Sequence, residues 1–139
     1  MARFVHEVID VAAKAKTRKE KIDILRQNET WALKDLLRGA YDESIVWDLP
    51  PGAPPYEPCE AHHAPTNLHK KHKSFIYFAK GGKGNNLLPV KREAMFISML
   101  EAVPAREAEL LVLMKDKQPL HKGLTKKLVE EAFPNLIRK

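Results

Sequence analysis

Phe4-Val-His-Glu-Val-Ile-Asp-Val-Ala-Ala-Lys-Ala-Lys-Thr-Arg-Lys-Glu-Lys-Ile-Asp-Ile-Leu25 holds two helices and the break between them. Phe4, Val5, Val8, Ile9 and Ala12 recur at the spacing of one helix face, so residues 3–15 read as an amphipathic helix. Thr17-Arg-Lys-Glu20 then forms a capping-box pattern: the threonine hydroxyl accepts a first-turn N–H while the glutamate reaches back. A second helix follows, burying Ile22 and Leu25 and ending near Arg26.

Working outward, the same logic repeats. Asn28 is a suitable cap for a third helix with Leu33, Leu36, Leu37 and Ala40 on one face. Ser44 to Trp47 reads as briefly extended. Five prolines between Pro50 and Pro58 exclude a helix there, because proline lacks an N–H and fixes φ. Trp47, Leu49 and Tyr56 give that irregular segment, residues 48–65, apolar anchors on its own domain. Thr66 caps a predicted fourth helix with Leu68, Phe75, Phe78 and Ala79 inward, stopped by the glycine-rich run 81–86. Pro89 suits the first turn of a fifth helix that buries Phe96, Ile97 and Leu100. Pro104 opens a sixth, burying Leu110, Leu111 and Met114. Thr125 caps a seventh, with Leu124 stapled on Val129 and Pro134 ending it. About seven short helices and a proline-rich loop, in one domain over 1–139, define an all-α class.

With 139 residues and 44% apolar content, a core can form, yet the apolar runs are far shorter than the ~20 residues a membrane span needs. The first residues lack the pattern of a secretory signal. The single cysteine, Cys59, allows no internal disulfide, which fits a reducing, cytoplasmic setting.

The net charge of +6 is unevenly placed. Residues 61–92 hold seven Lys/Arg and no Asp or Glu, against nine and eleven in 1–60, and eight and seven in 93–139. Two lysine groups stand out as a surface for the DNA backbone. The first is Lys70, Lys71, Lys73, Lys80, Lys83, Lys91 and Arg92, with a glycine loop at 81–84 where a phosphate could approach the backbone. The second is Lys115, Lys117, Lys122, Lys126 and Lys127 with His121 around Gly123, where a glycine turn leads into the N–H groups of the last helix. Both groups should converge on one face. Lysine-rich, arginine-poor clusters predict weak sequence preference and strong salt dependence.

Other constellations point elsewhere or nowhere. Cys59, His62, His63, His69 and His72 form a dense cluster of ligand types that zinc accepts, but structural sites usually pair cysteines, so surface histidines are the preferred reading. Trp31 and Trp47 read as core residues. The glycine loop lacks the order of a nucleotide-binding loop, so no ATP site or other cofactor is expected. No catalytic acid–base or nucleophile order is present, and the chain reads as non-enzymatic.

The ends of the chain resemble the N-terminal DNA-binding domain of bacteriophage ATP-dependent DNA ligases. The likeness runs through Phe4 to Tyr41, including Ala15-Lys-Thr-Arg-Lys-Glu-Lys-Ile-Asp-Ile-Leu25, then Glu109-Leu-Leu-Val-Leu-Met-Lys-Asp116, Gly123 and Ala132-Phe-Pro-Asn-Leu-Ile137. The chain is also similar to a family found in large tailed phages. These resemblances imply a phage origin and a helical domain that grips duplex DNA from the minor-groove side, in the cytoplasm of an infected cell. Nucleotidyl transfer needs a Lys-x-Asp-Gly tetrapeptide, which this sequence lacks, so the resemblance extends to binding and not to ligation. The alternative is a protein-interaction module that inhibits or redirects a host or phage replication or transcription component, its basic face meeting an acidic partner.

Overall fold

The computed structural model describes residues 4–60, 63–81 and 87–136. Among these the helices are α1 (Val5–Lys14), α2 (Arg18–Gln27), α3 (Trp31–Tyr41), α4 (Leu68–Lys71), a 3₁₀ helix (His72–Tyr77), α5 (Pro89–Ala102), α6 (Ala105–Lys115) and α7 (Lys126–Ala132). The all-α class holds. No helix among the described residues is long and apolar enough to cross a membrane.

Threonine caps set three of the helix starts. Thr17 Oγ1 accepts the Glu20 N–H at 3.2 Å, and Thr125 Oγ1 accepts that of Leu128 at the same distance. α3 starts differently from the expectation. Thr30 is its cap, accepting the Leu33 N–H at 3.1 Å, while Asn28 closes α2 by donating to the Ile24 carbonyl. The predicted fourth helix is broken in two. Thr66 donates its N–H to Ala102 O instead of capping, Asn67 precedes α4, and the chain tightens into the 3₁₀ helix after Lys71. His72, Phe75 and Phe78 are buried at a spacing of three, the period a 3₁₀ helix puts on one face.

α3 lies at the centre. It packs on α6, on α4 and on the 3₁₀ helix, while α1 crosses α2 and α6, and α7 rests on α2. Leu33, Leu36 and Leu37 meet Leu110, Leu111 and Met114 in one apolar cluster that also takes Leu25, Leu100 and Leu128. Ile97, expected in the core, is only half-buried. The expected extension at 44–47 appears as a bridge between Trp47 and Ala79. The proline segment is a strap across α5 and α6. The Gly52 N–H meets the Asp116 carboxylate at 3.1 Å, the Glu57 N–H meets Glu101 at 2.9 Å, and Cys59 O accepts from Ala105 at 2.7 Å.

One buried carboxylate ties three helices together. Glu107, fully buried in α6, accepts the Leu68 N–H at 3.0 Å, opening α4, and the His6 N–H at 3.3 Å in the first turn of α1. Removing it strands both donors. Glu107→Ala should lower unfolding free energy in urea by about 2–4 kcal/mol, since each unsatisfied buried group costs about 1–3 kcal/mol. The exposed Glu109→Ala should stay within about 0.5 kcal/mol of the parent.

Candidate nucleic-acid interface

The acid-free stretch does not form one surface. Lys70, Lys71, Lys73 and Lys80 are exposed, and Lys91 stands on the first turn of α5. Lys71 and Lys91 come together on a groove between the 3₁₀ helix and α5, whereas Lys73 lines a different groove against α3. Arg92 is not available to a phosphate. It is buried, with Nη1 3.2 Å from Asp48 Oδ2 and Nη2 donating to Leu87 O at 3.0 Å. Lys83 and most of its glycine loop lie outside the described residues.

The second group also divides. Lys115 is buried, its ammonium donating to Pro50 O at 2.8 Å and to Asp116 at 2.5 Å, so it anchors the strap. Lys117 donates to Gly39 O at 2.6 Å and Asp42 O at 2.7 Å, closing the carbonyl end of α3. Burial pushes its pKa below the ordinary lysine value. Its φ of +57° places it where glycine usually ends a helix, with the Gln118 N–H reaching back to Leu113 O at 2.9 Å. Lys115, Lys117 and Arg92 are therefore structural cations, corrected from the sequence reading.

Lys122 and Lys127 remain exposed, and Lys126 is partly exposed with its ammonium 3.7 Å from Glu43. Around Gly123 the structure adds residues that the sequence reading left out. Lys16, Arg18 and Lys21, from the turn between α1 and α2, join Lys122, Gly123 and Thr125 in a cleft of about 200 Å³. Lys21 Nζ donates to Gly123 O at 2.8 Å. Arg18 makes a two-bond fork to Glu131, at 3.0 and 2.7 Å, which holds that carboxyl below the usual range. The clue was already present in the run Lys16-Thr-Arg-Lys-Glu-Lys21, but only tertiary packing sets it beside residue 123.

Gly123 is fixed by packing rather than by a ligand. A Cβ there would lie 2.5 Å from Ala13 O, and the glycine's own N–H already meets His121 Nδ1 at 3.0 Å. Its amide is thus engaged within the turn itself.

The histidine cluster disperses. His72 Nδ1 lies 2.5 Å from Asp35 Oδ2, His63 is exposed beside Glu60, and His62 is outside the described residues. Among the described residues no three ligand-type side chains gather for a metal. Trp47 is core, as expected. Trp31 is not: it is 72% exposed, with Lys34 Nζ 4.1 Å from its ring centroid.

These features define an all-helical domain with a basic cleft where its two ends meet. The model of a family of unknown function, DUF6433, matches residues 8–122, and the chain belongs to that family. No curated protein and no solved structure matches it.

Close approach at residue 123 gives a direct test. Gly123→Ala should lower the unfolding free energy by about 1–3 kcal/mol, because the methyl must displace backbone rather than a side-chain tip. Thermal unfolding followed by circular dichroism measures it.

Proposed function

We propose that this chain is a non-catalytic, sequence-tolerant binder of duplex DNA that acts through the phosphate backbone, in phage DNA metabolism. The observation that carries the reading is the meeting of Lys16, Arg18 and Lys21 with Lys122 across about a hundred residues of chain. Like charges brought together from distant segments repel, and a polyanion relieves that repulsion. Lys126 and Lys127 extend the surface along α7. The two stretches of sequence that resemble the ligase DNA-binding domain are the two that form the cleft, which supports the same reading.

Cation chemistry sets the mode. Five of these six groups are lysines on flexible stems, and Lys19 adds another exposed ammonium beside them in sequence. Point charges of this kind neutralise phosphates without reading base edges. Glu131 and Glu43 compete for Arg18 and Lys126, so binding exchanges an internal ion pair for a phosphate contact.

A second reading has its own support. Leu88 and Val90, flanking Pro89 at the start of α5, are 74% and 78% exposed, an apolar pair suited to a protein partner such as a replication or transcription component. Pull-down from infected cells with and without nuclease distinguishes the two. Partners that vanish on nuclease treatment support DNA bridging, and partners that persist support direct docking.

Fluorescence anisotropy with a labelled duplex of arbitrary sequence tests the DNA reading. With about four phosphates engaged, affinity should fall on the order of 100-fold between about 50 and 200 mM salt. Lys16→Glu/Lys122→Glu/Lys127→Glu should abolish most binding without changing the melting temperature. No complex at low salt, or a complex indifferent to salt and to these changes, overturns the proposal.

A further inference from the structure

A groove of about 760 Å³ lies between α3 and the 3₁₀ helix, apart from the cleft at Gly123 and of the size that small-molecule sites occupy. Its apolar wall includes Ile45, Trp47 and Phe75. Trp47 is locked there, its indole N–H donating to Gly39 O at 3.0 Å and its ring meeting Phe75 edge-on at 6.1 Å. The polar side of the groove carries Asp35, Arg38, His72 and Lys73.

The charges in this groove are arranged unequally. Asp35 is paired with His72 Nδ1 at 2.5 Å, which fixes the imidazole. Asp42, fully buried behind Arg38, already accepts from the Ser44 N–H at 2.9 Å and the Ser44 hydroxyl at 2.6 Å. Arg38 Nε is buried and ion-paired with Asp42 Oδ2 at 3.6 Å, too long for a hydrogen bond, while the side chain as a whole is 38% exposed. Lys73 is exposed at the margin. Each carboxylate therefore has nearby donors, whereas the guanidinium and the ammonium have donors to offer.

We propose that this groove binds a phosphate monoester on a flat, apolar body, the chemistry of a mononucleotide. Arg38 and Lys73 hold the oxyanion, and the ring lies along Ile45, Trp47 and Phe75. A guanidinium and an ammonium match a doubly charged oxyanion better than a single carboxylate. The groove shares no lining residue with the cleft at Gly123, so this site is separate from the proposed DNA surface. The phosphate could arrive on a free nucleotide or within a single strand, and both present the same chemistry.

Calorimetric titration of the full chain with phenyl phosphate, adenosine monophosphate, inorganic phosphate and a single-stranded trinucleotide tests this. Phenyl phosphate should saturate one site, with inorganic phosphate at least about tenfold weaker for want of the apolar wall. Arg38→Gln and Lys73→Gln should each weaken binding about tenfold, the value of one charge-assisted hydrogen bond. Lys73 is exposed, so its variant remains informative if the Arg38 variant is poorly folded. Lys122→Glu should weaken duplex DNA and leave phenyl phosphate unchanged, which separates failure of this site from failure of the DNA surface. Tighter binding of adenosine monophosphate than of the trinucleotide supports a free nucleotide, and the reverse order supports a strand. No saturable binding of phenyl phosphate at millimolar concentration overturns the proposal. So does equal affinity for inorganic phosphate, or an affinity untouched by Lys73→Gln.

Discussion

The hydroxyl of Tyr41 stands between two backbone groups, accepting the Leu120 N–H at 3.1 Å and donating to Leu124 O at 3.1 Å. Most of the functional geometry depends on it. That hydroxyl pins the loop that carries Lys122 and Gly123 to the end of α3, the most central helix. From the other side, Gly123 meets Ala13, and Lys21 takes the Gly123 carbonyl. A loop held from both sides can carry exposed lysines close to one another despite their repulsion. Burial pushes the Tyr41 pKa up, so the phenol stays a donor at neutral pH.

The last turn of α3 is also why so many cations are unavailable to a ligand. A helix end exposes carbonyls that need donors, and here Gly39 and Asp42 are both buried away from water. Trp47 and Lys117 both donate to Gly39 O, and Lys117 reaches Asp42 O as well. Gly39 permits this closeness, since a Cβ would lie 2.6 Å from the Trp47 ring. Lys115 performs a similar task for Pro50 in the strap. Each of these cations loses solvation but gains fixed acceptors at the negative end of a helix or in a proline turn. Counting positive charge along the sequence therefore overstates the surface left for a polyanion.

Helix positions were legible in the sequence because caps and periodicity act locally. Thr17, Thr125 and Pro89 start their helices where the pattern puts them. The misreading at Asn28 came from two residues, two positions apart, both able to cap, of which Thr30 won at α3 and Asn28 was recruited to end α2. The broken helix after Leu68 was legible in principle, since His72, Phe75 and Phe78 recur every three residues rather than every three or four. The site was harder. Lys115 and Lys122 look alike in sequence, and only the Pro50 carbonyl of the strap, together with the adjoining Asp116 carboxylate, makes one structural. Trp31 illustrates the converse. As a large aromatic it reads as core, but it stands on the face of α3 opposite Leu33, Leu36 and Leu37, beside Phe133 and Pro134, and is 72% exposed.

The two proposed modes of anion recognition rest on two kinds of support. At the Gly123 cleft, long lysine stems on short loops tolerate variation in where a phosphate lies, which suits a repeating backbone and forfeits discrimination. Across α3, the imidazole of His72 is fixed by Asp35 and the indole of Trp47 by Gly39, so a ligand meets groups that do not rearrange. Pre-fixed donors lose less entropy on binding and favour one shape over another. The helix between the two regions serves both, with its buried face closing the core and its carbonyl end drawing in the lysines that would otherwise have widened the basic surface. A change that loosened that end would release Lys117 toward solvent while unpinning the loop at 120–124. Extra positive charge would then accompany a less ordered cleft, and the organisation of the lysines, more than their number, would limit binding.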